Sequence, residues 1–141
     1  MHHTAFEAGT PPIAEAVALG RAVEYLLDVG LDQIAAHCAT LGAHALSRLR
    51  EIDRVQVIGD QASARSGIVS FHVAGVHPHD LATMLDLDGI AVRAGEHCCQ
   101  PLMDTLGVDG TVRLSSYLYN TIDEIDAAVD SVARATAALA P

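Results

Sequence analysis

The spacing of apolar residues along the chain sets out its elements. From 13 to about 29, Ile13, Val17, Leu19, Val23, Leu26 and Leu27 recur near the helical period, and Gly30 is placed to stop the helix. A second helix is predicted from 31 to about 52, with Ile34, Cys38, Leu41, Ala45, Leu49 and Ile52 along one side. The two read as an αα-hairpin. The period then shortens: 55 to 58 is a short strand ending at Gly59, and Gly67-Ile-Val-Ser-Phe-His-Val73 is a second, whose β-branched residues predict burial on both faces. The polar stretch 60–66 between them is a turn or loop short enough for an antiparallel pair. A third helix opens at Val76-His-Pro-His-Asp80 and runs through Leu87, with Pro78 in its first turn and Asp80 at its positive end.

Ile90, Ala91 and Val92 form a short apolar run that reads as a buried strand, and the residues after it have loop composition. Residues 100 to 106 are a short helix closed by Gly107, and 111 to 115 return to strand, with Arg113 on the face opposite Val112 and Leu114. Tyr117, Tyr119 and Asn120 make a polar-aromatic turn that either lines the site or a dimer contact, or anchors the final helix. That helix starts at the capping box Thr121-Ile-Asp-Glu124, continues through Ile125, Val129 and Val132, and frays in its alanine-rich end. The element order predicts an α+β fold, a small, mostly antiparallel sheet covered by helices. No linker, repeat or low-complexity stretch marks a second domain, so 1–141 reads as one.

Composition narrows the class. Half of the residues are hydrophobic (50%), which is globular rather than disordered composition. A formal net charge of −10 argues against nucleic-acid and membrane-surface partners, both of which need a basic face. No apolar run approaches the ~20 residues of a membrane span, no signal-peptide order opens the chain, and three cysteines make a poor disulfide framework, so a cytoplasmic location is expected. All eight basic residues other than histidine are arginines; the sequence contains no lysine.

The candidate chemistry lies in Arg93-Ala-Gly-Glu-His-Cys-Cys99, where a stiff element meets a loop rich in reactive side chains. A thiol attacks only as its thiolate, and a free cysteine with a pKa of about 8.5 needs nearby positive charge to be nucleophilic at neutral pH. Arg93 and His97 are the groups at hand to supply it, while Glu96 opposes it. Chemistry alone leaves this pair balanced between a reactive site and ordinary packing. Cys38, on the apolar stripe of the second helix, reads as core, and His37 and His44 as rim positions. A zinc site built from His72, His77, His79, His97, Cys98 and Cys99 is the rival reading. The spacing opposes it, because His-x-His beside a proline and adjacent cysteines lack the paired Cys-x-x-Cys arrangement. No metal is assigned.

The run Gly89-Ile-Ala-Val-Arg-Ala-Gly-Glu-His-Cys-Cys-Gln-Pro-Leu-Met103 resembles the active-cysteine segment of SufS-like cysteine desulfurases and selenocysteine lyases, relatives of the class V aminotransferases. Phe6-Glu-Ala-Gly-Thr-Pro11, Gly67-Ile-Val-Ser-Phe71, Val76-His-Pro-His-Asp80 and Val112-Arg-Leu-Ser-Ser-Tyr-Leu-Tyr-Asn-Thr121 agree in order and approximate spacing. The resemblance covers essentially the whole chain but only the C-terminal part of such an enzyme. It implies the C-terminal small domain of a fold type I pyridoxal phosphate enzyme. It also implies Cys98 as the nucleophile that takes sulfur from L-cysteine as a persulfide for iron–sulfur cluster assembly, with L-alanine released.

By the same resemblance, Arg113, fifteen positions after Cys98, binds the substrate carboxylate, and Arg93 and His97 line the same pocket. Gly9 and Thr10 would reach the cofactor phosphate of a neighbouring subunit, although Thr10 before Pro11 also fits a simple helix cap. The implied partners are a large domain or subunit carrying pyridoxal phosphate on a lysine, a sulfur-acceptor protein and a second copy in a homodimer. Without a lysine this chain cannot hold the cofactor as a Schiff base, and arginine cannot replace it. A non-catalytic sulfur carrier and a selenocysteine lyase segment are the alternatives. Glu96 stands where the family commonly has a second histidine, and Cys99 where a small residue is usual.

Overall fold

The computed structural model describes residues 9–59 and 66–139. The residues 6–8 of the first resembling segment, the loop 60–65 and the terminal 140–141 lie outside the described residues. The chain divides into two compact units, Met1–Ile34 and Ala35–Pro141.

In the first unit, α1 spans Ile13–Val29 and ends as expected at Gly30, whose φ of 96° suits a residue without a side chain. The predicted apolar positions do not become a core: Val17 is 64% exposed, Leu19 66% and Leu27 59%, and no α1 residue is buried. Apolar spacing fixes which face a helix would bury, but a partner surface has to be there to bury it.

Helix α2, Leu31–Leu49, stops three residues before the predicted end. A turn follows in which Ile52 N–H donates to the Leu49 carbonyl and Arg54 takes a left-handed φ of 67°. Its second-unit residues Cys38, Leu41, Ala45 and Leu49 are buried, so Cys38 is core, as its place on the stripe implied. Strands β1 (Val55–Val57), β2 (Ile68–Val73), β3 (Arg93–Gly95) and β4 (Thr111–Ser115) form one antiparallel sheet in the order β1-β2-β4-β3.

Two strand expectations need correction. Strand β2 is not buried on both faces: Val69, Phe71 and Val73 are buried, while Ile68 is exposed and Ser70 and His72 are half-buried. A central strand of an antiparallel sheet can leave one face open, and Ser70 and His72 mark that face. Strand β3 is Arg93–Gly95, not the apolar run before it. Ile90 and Val92 pack against the core without joining the ladder, and the strand is formed by the residues that pair with β4, Arg93 opposite Arg113 and Gly95 opposite Thr111.

Helices α3 (Pro78–Leu87) and α5 (Ile122–Leu139), together with α2, cover the face carrying Val69, Phe71, Val73, Val112 and Leu114. Each fully buried Leu, Val or Phe contributes roughly 1.5–3 kcal/mol relative to exposure, so this single cluster is the main source of stability. The α5 capping box forms as written: the Thr121 hydroxyl accepts from Glu124 N–H at 3.2 Å, and a Glu124 carboxylate oxygen accepts from Thr121 N–H at 2.9 Å. The helix continues to Leu139, with Val132, Ala135 and Thr136 buried, and the end for which fraying is expected reaches into 140–141, outside the described residues. Asn120 anchors its start, accepting from Tyr117 N–H at 2.9 Å, while its carbonyl accepts from His37 at 3.0 Å. Of the two readings for the Tyr117–Asn120 turn, helix anchoring is thus the one the contacts support. The short α4, Gln100–Leu106, closes at Gly107 in a left-handed conformation, as predicted.

Candidate active site

The polar face of the sheet is built by strand alternation. Residues opposite one another across a ladder project to the same side, so Ser70, Arg113 and Arg93 form one row across β2, β4 and β3, with Thr111 and Gly95 as the next pair. Two guanidiniums directly opposite each other repel, which costs stability unless an anion lies between them. Arg113 is half-buried, its Nε is shut off from solvent, and no hydrogen bond satisfies it. A buried donor left in this state costs on the order of 1–3 kcal/mol, which a bound carboxylate would recover.

The reactive loop leaves β3 through a tight turn. Cys99 N–H donates to the Glu96 carbonyl at 2.9 Å, and the two central residues, His97 and Cys98, both have positive φ, 56° and 60°. That is the backbone of a type I′ turn, normally built with Asn and Gly. Holding cysteine there costs on the order of 1 kcal/mol, and such strain gathers at functional sites. Gly110 makes the approach possible, since a Cβ on it would lie 2.9 Å from the Gly95 backbone.

The turn exposes Cys98, and Arg93 Nη2 donates to its sulfur at 3.5 Å. The positive charge expected beside this thiol therefore comes from Arg93. His97 does not supply it. Burial pushes its imidazole below the ordinary histidine value, opposed by its hydrogen bond to Thr111 and reinforced by the Arg113 and Arg93 guanidiniums. Its Nε2–H donates to the Thr111 carbonyl at 3.1 Å and lies 2.8 Å from the Thr111 hydroxyl, while Nδ1 is buried without a partner. His97 is thereby a strut tying the turn to β4.

The sequence-level picture of Cys98 facing Arg113 needs refinement. Cys98 lines an open cavity of about 420 Å³ with Glu96, His97, His77, His79 and Asp109. Arg113 lines a smaller one of about 160 Å³, with Ser70, Thr111, His97, Met103 and Cys99 among its walls. His97 borders both. Ser70, Thr111 and Met103 were not singled out by sequence; the signal for the first was its place between Val69 and Phe71, a polar side chain in an alternating strand. Gly9 and Thr10 are exposed in the first unit. Among the described residues no group of three or more His, Cys, Asp or Glu converges to hold a metal ion. No helix among them is long and apolar enough to cross a membrane.

The class-V aminotransferase family matches residues 2–128. The chain belongs to that family. Family members are pyridoxal phosphate enzymes. Within the family it is 51% identical over 136 residues to a probable cysteine desulfurase of Halobacterium salinarum, covering 96% of this chain and 33% of the relative. It is 55% identical over 122 residues to a probable cysteine desulfurase of Halalkalibacterium halodurans, covering 86% of this chain and 30% of that one. The chain thus spans about a third of the length of the curated relatives it matches. Among solved structures, the apo cysteine desulfurase of Thermococcus onnurineus superposes with a TM-score of 0.89 at 37% identity, over 95% of this chain and 34% of the other. The cysteine desulfurase CsdA of Escherichia coli, in an S-sulfonic acid form, gives 0.85 at 38% identity, over 94% and 33%. The α+β fold is that of this part of cysteine desulfurases.

The residues present do not make up a whole pyridoxal phosphate site. The chain has no lysine for the covalent link, and what it presents is a half-buried guanidinium with an unpartnered Nε in a cavity that Cys99 also lines, which fits the substrate side of such a site.

Proposed function

We propose that this chain is the sulfur-accepting segment of a cysteine desulfurase, working with a lysine-bearing large domain. The observation that carries this reading is the exposed Cys98, strained in a left-handed turn with its sulfur 3.5 Å from the Arg93 guanidinium. Pyridoxal phosphate, when bound by the large domain, supplies the electron sink that weakens the carbon–sulfur bond of L-cysteine. Arg113 holds the substrate carboxylate, its planar fork satisfying the otherwise orphaned Nε. Arg93 favours the Cys98 thiolate, which attacks the substrate sulfur. The carbon–sulfur electron pair stays with the substrate carbon, which takes a proton to become L-alanine, and Cys98 is left as a persulfide. His97 holds the turn in place from Thr111. Gly9 and Thr10 serve the cofactor phosphate of a neighbouring subunit, and a sulfur-acceptor protein takes the persulfide towards iron–sulfur cluster assembly.

The test is reconstitution of the chain with a lysine-bearing large domain, pyridoxal phosphate and L-cysteine. Alanine and sulfide release should fall by at least about 10³-fold in Cys98→Ala, the scale of losing a covalent nucleophile. Undiminished turnover in that variant overturns the reading. A non-catalytic sulfur carrier is the second reading, for which the same mixture would show persulfide on Cys98 without alanine release.

A further inference from the structure

Two thiols stand side by side on this turn, and the function proposed above uses one. Cys99 is exposed, so it is not a packing residue. It occupies the cap position of α4 yet makes no side-chain cap hydrogen bond, so that role does not hold its sulfur. Cys98 lines the larger cavity and Cys99 the smaller, and His97 borders both.

We propose that Cys99 is a resolving thiol that discharges the Cys98 persulfide when no acceptor takes it. The inference rests on the reading that Cys98 carries that persulfide. The Cys99 thiolate attacks the inner sulfur, a Cys98–Cys99 disulfide forms, and the bond between inner and outer sulfur breaks with its electron pair leaving on hydrosulfide. The proton lost by Cys99 passes to solvent. Cys99 sulfur is oxidised as the outer sulfur is reduced to sulfide, so the step needs no external oxidant.

Geometry selects this course over transfer of the outer sulfur to Cys99. Thiol–disulfide exchange needs its three sulfurs in line. Transfer would force that line inside the small ring closed by two consecutive residues, whereas expulsion of hydrosulfide puts the leaving atom outside it. A disulfide between neighbours departs from relaxed geometry and is therefore easily reduced. The pair acts as a latch: it removes a stranded persulfide, stops Cys98, and is reset by a cellular dithiol.

The test loads the full chain and its Cys99→Ser variant with glutathione persulfide, removes the donor, and blocks with iodoacetamide at intervals before tandem mass spectrometry. The variant should keep one added sulfur on Cys98. The unsubstituted chain should lose it at least about tenfold faster, at a rate independent of chain concentration, releasing one sulfide and leaving both cysteines joined and unblocked. Equal persulfide lifetimes in the two proteins, or the added sulfur appearing on Cys99, overturn the latch while leaving Cys98 as the sulfur acceptor. No added sulfur on Cys98 in either protein overturns both the latch and the function it rests on.

Discussion

On one face of the sheet, Val69, Phe71, Val73, Val112 and Leu114 are buried beneath α2, α3 and α5, and their contacts come from this chain. On the other, Arg93 opposes Arg113, and one nitrogen each of Arg113 and His97 is buried with no partner. The same strands build both, by alternate residues. The first face is complementary to its own chain and contributes stability; the second carries unpartnered nitrogens and opposed charges, which cost it. That contrast, more than any single side chain, is what makes the second face the candidate site.

The contrast can be broken by substitution. Phe71→Ala, on the self-complementary face, should lower unfolding free energy by about 3–5 kcal/mol, read from the denaturant midpoint at unchanged slope. A loss below about 1 kcal/mol would mean that the face is loosely packed. Arg113→Met, on the other face, should go the opposite way and stabilise the chain by about 1 kcal/mol, since it removes both the orphaned donor and the charge opposite Arg93. In the reconstituted enzyme the same variant should lose affinity for cysteine. Destabilisation instead would show that the guanidinium is part of the scaffold.

The smallest effect expected is a pH dependence. Burial lowers the folded-state values of His97 and His72 below the ordinary 6.5. The unfolded chain then binds protons more readily, so stability is full above about pH 6.5 and declines as pH falls through the depressed folded values. The double variant His72→Gln, His97→Gln should flatten that decline in pH-dependent denaturation. An unchanged slope would place the titration elsewhere.

Much of the architecture was legible in the sequence because it rests on local chemistry. The α5 start follows from Thr121 and Glu124, the α4 end from Gly107, and the Arg113 side of β4 from alternation with Val112 and Leu114. The resemblance also directed attention to Cys98 and Arg113. The errors arose where one pattern fits two outcomes. An apolar run such as Ile90 to Val92 is compatible with a strand or with unladdered core packing, and only the pairing of Arg93 with Arg113 decides. The stripe on α1 is likewise sound as a pattern and exposed in fact.

By itself the sequence determined the element types, the acidic and lysine-free composition and the presence of adjacent thiols, since these depend on residue identity and short-range spacing. Tertiary structure alone decided that Arg93 rather than His97 meets the Cys98 sulfur, that the Arg113 Nε is buried without a partner, and that the two thiols border different cavities. The physical reason is that charge state and hydrogen-bond satisfaction are set by neighbours and solvent exclusion, and these come from strands brought together across the sheet.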